Sequence, residues 1–146
     1  MNRSLLILSA TLWLGSCSQD NPVEPATLNQ PVQATGMLKA HANADGFQLE
    51  LITTPSPIPL NQDFTLRFRL LDGNGSPLTD PLTQIALDAD MPEHGHGMKV
   101  APTLEEKDGW IHASPLLFHM PGLWEIYVDR KTGHVTERAQ LSFKVF

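Results

Sequence analysis

Eight consecutive residues, Met91-Pro92-Glu93-His94-Gly95-His96-Gly97-Met98, hold two imidazoles, two thioethers and a carboxylate. Thioether sulfur is a soft donor that favours Cu(I), and imidazole accepts both copper states, so a Met and His mixture without thiolate points to copper ahead of zinc. In an extended or turned segment alternate side chains share a side. That spacing sets His94, His96 and Met98 together, while Gly95 and Gly97 opposite them offer nothing to obstruct an ion. A second pair, His119-Met120, follows twenty residues on, within Phe118-His119-Met120-Pro121-Gly122-Leu123-Trp124-Glu125. If the two loops occupy one end of the fold, His94 or His96 can be joined by Met98, His119 or Met120. The candidate metal ligands are therefore Met91, His94, His96, Met98, His119 and Met120, and the candidate ion is copper. Each has a plainer reading: a polar turn whose imidazoles cap backbone groups, and methionines that fill the core. His41, His112 and His134 have no close donor neighbours and read as surface or satisfied residues. Trp110 and Trp124 fall on apolar strand faces and read as core residues, with a cation–π contact as a lesser role.

The elements around these donors read as strands. Phe47, Leu49 and Leu51 alternate with polar residues, and so do Phe64, Leu66, Phe68 and Leu70, the period of a half-buried strand. After a dense turn signal at Asp72-Gly73-Asn74-Gly75-Ser76-Pro77 come Ile85, Leu87 and Ala89. Trp110 to Phe118 is a weaker strand, interrupted by Pro115 and so expected to be bulged or at an edge. Trp124, Ile126 and Val128 lead through Lys131-Thr132-Gly133-His134 into Ala139, Leu141, Phe143 and Val145, a terminal hairpin. About seven strands with frequent turns predict an all-β fold, an immunoglobulin-like antiparallel β-sandwich.

Of 146 residues, 41% are hydrophobic and 18% charged, so the chain can bury a core, and 12 prolines disfavour a helical bundle. With 10 Lys and Arg against 16 Asp and Glu there is no basic surface for a phosphate backbone, and nucleic acid is not an expected partner. No glycine-rich phosphate loop and no Gly-x-Ser-x-Gly motif occurs, so the protein is not expected to be an enzyme.

The amino terminus reads as an export signal: Arg3 precedes an apolar run from Leu5 to Leu14 that is too short to span a bilayer. The run ends in Leu14-Gly15-Ser16-Cys17, which resembles the lipobox of bacterial lipoproteins. Residues 1–16 are then a lipoprotein signal peptide, and Cys17 is the lipidated first residue. Cys17 is the sole cysteine, which excludes internal disulfides and thiolate ligands from the folded part. Residues 17–35, rich in Pro22, Pro25 and Pro31, read as a flexible tether, and 36–146 as the domain. Ser18 after the lipidated cysteine resembles the lipoproteins of double-membrane bacteria that are sorted to the outer membrane, with the body facing the periplasm.

Met91 to Met98, followed by Phe118 to Glu125, resembles the YtkA-like and FixH-like family of small exported or membrane-anchored bacterial domains. The resemblance covers about Gly46 to Val145, and its Met-Pro-Gly-x-Trp stretch is the more specific part. It implies a compact β-sandwich and an association with copper handling or maturation of copper-containing respiratory oxidases, with a periplasmic or membrane metalloprotein as partner. The chain departs from the FixH-like members in having Cys17 in place of a transmembrane anchor. Two other functions compete with a copper-binding lipoprotein: a β-sandwich adhesion or assembly module without metal, and a hydrolase within the sandwich.

Overall fold

Alternation of apolar and polar residues builds the strands, and the side on which each apolar set falls decides how they stack. A computed structural model of the chain describes residues 36–43 and 46–146. The signal segment, Cys17 and the tether lie outside these described residues. Within them the strands are β1 (Leu38–His41), β2 (Gln48–Thr54), β3 (Asp63–Leu71), β4 (Ile85–Met91), β5 (His96–Gly97), β6 (Thr103–Lys107), β7 (Trp110–Leu117), β8 (Gly122–Thr132) and β9 (Val135–Val145). A short 3-10 turn, Leu82–Gln84, leads into β4.

The strands form two antiparallel sheets, ordered β1-β2-β3-β7-β6 and β5-β4-β8-β9. Without β1 and β5 the orders are β2-β3-β7-β6 and β4-β8-β9, the seven-strand arrangement of constant-type immunoglobulin domains. The expected sandwich is thus present, with a short strand added at one edge of each sheet. β1 and β5 carry too few residues to show a period, and β6 (TLEEK) is a polar edge strand.

Every second residue of β3, β4 and β8 points inward. Phe64, Leu66, Phe68 and Leu70 meet Ile85, Leu87, Ala89, Met91, Trp124, Ile126 and Val128, all buried. Phe118 stacks on Trp124 with ring centroids 4.2 Å apart, and Phe64 packs edge-on against Phe118 at 4.9 Å. Burial of a core this size is the main stabilising term.

Pro115 acts as its backbone chemistry requires. The β3–β7 register shifts between Phe64 and Leu66, and β6 pairs β7 only as far as Ser114. The bulge therefore falls at Ser114-Pro115, where a residue without an N–H is tolerated.

One tryptophan departs from expectation. Trp124 is wholly buried, but Trp110 is only partly buried and lies on the outer face of the five-stranded sheet, with the guanidinium carbons of Arg67 and Arg69 4.8 and 4.6 Å from its ring centroid. Alternation along β7 places Trp110 on the same side as His112, opposite the side of the buried Ala113. The core assignment of Trp110 is corrected on that ground, and the cation–π contact is its main role.

Candidate functional site

The two donor-bearing segments meet at one end of the sandwich, where β4 and β7 end and β3 and β8 begin. Met91 closes β4, and its carbonyl accepts hydrogen bonds from the backbone N–H groups of His94 and Gly95, both 2.9 Å. Gly95 has φ +66°, a left-handed value that glycine adopts without strain. The chain returns as β5, with His96 opposite Met91 and Gly97 opposite Asp90. Gly97 is required by contact: a Cβ there would stand 2.9 Å from the Ala89 carbonyl oxygen.

His94 and His96 are exposed, while His119 is half-buried. Their rings form a tilted row, with centroids 5.9 Å apart for His94–His96 and 5.5 Å for His96–His119. The row ends on the core: the His119 ring meets Trp124 edge-on at 5.6 Å. The Trp124 indole N–H donates to the Met120 carbonyl at 2.9 Å, which pins the His119-Met120 turn to β8. Two imidazoles on one ion, each bound at about 2.0 Å through nitrogen, have centroids roughly 5–6 Å apart, a separation that both neighbouring pairs share.

His119 Nδ1 is buried and has no hydrogen-bond partner among the described residues. A buried nitrogen with no protein partner is costly unless a water or an ion satisfies it. His119 and Met98 also line one cleft, together with Asp63, Lys99, Pro115 and Leu117. Met98 is half-buried against the core, and its backbone N–H is held by the Ala89 carbonyl at 3.0 Å.

The structure thus brings His94, His96 and His119 into one row and Met98 into the adjoining cleft. It places the other two candidates differently. Met91 is wholly buried as a core residue, with its Cε 2.7 Å and the His94 Nε2 4.0 Å from the point where a Cβ on Gly122 would sit. Met120 packs partly buried against the core. Among the described residues no group of three or more His, Cys, Asp or Glu side chains is arranged to hold a metal ion. Of the remaining histidines, His41 and His134 are exposed and His112 is half-buried on the outer face.

Asp63 and Lys99 at the cleft had no signal in spacing. Asp63 reaches the cleft because the start of β3 pairs with the end of β7, Asp63 opposite Leu117, a juxtaposition made by topology alone.

Residues 41–129 match the model of a family described as YtkA-like, more than half of the chain. No curated protein and no solved structure matches it.

Proposed function

The chain belongs to the YtkA-like family, and we propose that it is a lipid-anchored, periplasm-facing protein that binds or passes copper through the His and Met cluster at the β4–β5 end of its sandwich. The observation that carries this reading is the approach of His96 to His119 at 5.5 Å, because these residues come from different loops with unrelated backbone roles. The His119 Nδ1 without a partner adds an atom that a metal would satisfy.

The ligands in this reading are His96 and His119, with Met98 supplying the soft donor from the cleft and His94 exchanging at the exposed end. Imidazole with thioether tolerates both copper states. A site open to solvent through His94 and His96 suits a protein that must release its ion to another. Copper is the cargo here, and a metalloprotein is the fitting recipient. The anchor is the lipidated Cys17, and the membrane is the outer one. No residue is assigned a catalytic role.

Titration of the unlipidated mature chain with Cu(I) and with Cu(II) against a competing chelator tests the proposal. One equivalent is expected to bind, and the variant with His94→Ala and His96→Ala is expected to lose binding with thermal stability nearly unchanged, since both side chains are exposed. Binding by that variant equal to the parent's would reduce these histidines to turn residues and move the site off this loop, whereas no binding by the parent would favour an assembly module without metal. Cys17→Ala in cells is expected to release the protein from the membrane fraction.

A further inference from the structure

The outer face of the five-stranded sheet differs in charge from the rest of the chain. Lys39 stands opposite Glu50 and Glu50 opposite Arg69. Trp110 is covered by Arg69 and Arg67, and Lys107 stands opposite Trp110. Arg67 is paired with His112, and His112 with Glu105. At these paired positions four cations and two carboxylates face outward on a chain whose formal charge is −6, with Asp80 and Glu106 lining the cleft beside Arg69 and Trp110.

The cations are not equivalent. Glu50 is buried and engages Lys39 at 2.9 Å and Arg69 at 2.6 Å. Arg67 and Lys107 have no carboxylate partner among the described residues. Arg67 is also half-buried and laid over the indole, so part of its rotamer freedom is already lost. A guanidinium held in this way is prepared for an incoming carboxylate.

The geometry points to residues 18–35 of this same chain as the occupant of the Arg67–Trp110 face. That segment carries Asp20 and Glu24, no Lys or Arg, and prolines at 22, 25 and 31. Its carboxylates complement Arg67 and Lys107, and proline-rich chain docks on aromatic rings in an extended form that loses little entropy. It joins the domain at Gly36, beside β1, the edge strand of this sheet. From β1 to β7 is three strand spacings, about 14 Å, and the twelve residues from Glu24 to Gly36 reach about 37 Å in polyproline form. A tethered segment acts at roughly millimolar effective concentration, so a weak contact suffices. Trp110 opens β7 and His119 follows its end, about 25–30 Å of strand away, so a docked segment leaves the histidine row open.

A nitroxide at Asn21→Cys, in the mature chain with Cys17→Ser, tests this by paramagnetic broadening in solution. The Trp110 indole N–H is expected to lose most of its intensity, and to recover it with Asp20→Lys plus Glu24→Lys, or with Arg67→Glu. The first of these variants leaves the domain untouched, so a folding defect cannot imitate the recovery. An unbroadened Trp110 would overturn the inference. So would equal broadening at Tyr127 on the opposite sheet, or broadening that appears only between labelled and unlabelled chains.

Discussion

The terminal methyl of Met91 lies where a side chain on Gly122 would begin, 2.7 Å from the position of the missing Cβ. Gly122 also has φ +135°, which residues with a Cβ rarely adopt. Met91 closes β4 and Gly122 opens β8, so this contact fits the first donor loop onto the strand that follows the second.

Gly122→Ala is therefore expected to destabilise the domain by about 1–3 kcal/mol, mainly through backbone strain. The Met91 methyl is the end of a flexible side chain but sits in a closed core. Adding Met91→Ala should relieve the contact and not the strain, leaving a non-additive pair. Urea midpoints of the three variants measure this, and a Gly122→Ala midpoint equal to the parent's would contradict it.

Lys39, and after it Arg69, hold the Glu50 carboxyl below the usual carboxylate range by hydrogen bonding, against the opposing effect of burial. A carboxyl lowered in the folded state adds stability above its unfolded value of about 4.3, and that contribution is lost as pH falls through the folded value. Glu50→Gln is expected to cost about 2 kcal/mol at pH 7 and to flatten the fall in stability below pH 4.5. Denaturation curves from pH 3 to 7 show this as converging stabilities. Parallel curves would remove Glu50 from the acid response.

Tyr127 is the only tyrosine of the chain, which makes its phenol easy to follow. Burial, and then hydrogen bonding to Glu125 at 2.6 Å and Asp90 at 3.0 Å, raise its ionisation well above the ordinary value. Absorbance at 295 nm should show no phenolate as pH passes through about 10, the usual tyrosine range. Ionisation there would mean that the contact with the two carboxylates is not kept in solution.

Strand period carried the sandwich because β3, β8 and β9 have enough residues to show alternation. It missed β1, β5 and β6, which are short or polar and exist by pairing with a neighbour. Trp110 was misplaced for a related reason: period two identifies two faces but does not say which is inner, and the two arginines that flank the ring belong to another strand. Among the donors, the closeness of His94 and His96 follows from local spacing. Their approach to His119 depends on β4 and β8 being neighbours, and Met91 was drawn into the core by the inward phase of β4, established by Ile85, Leu87 and Ala89.

Two loops sharing one copper ion, as proposed, would show in a double-mutant cycle on copper affinity. His96→Ala and His119→Ala, each titrated with Cu(I) against a chelator, are expected to weaken binding by at least about tenfold. Combined, they should weaken it by much less than the product of the two effects, because either loss already breaks the shared site. His119→Ala binding copper as tightly as the parent would mean that the second loop holds no part of the ion.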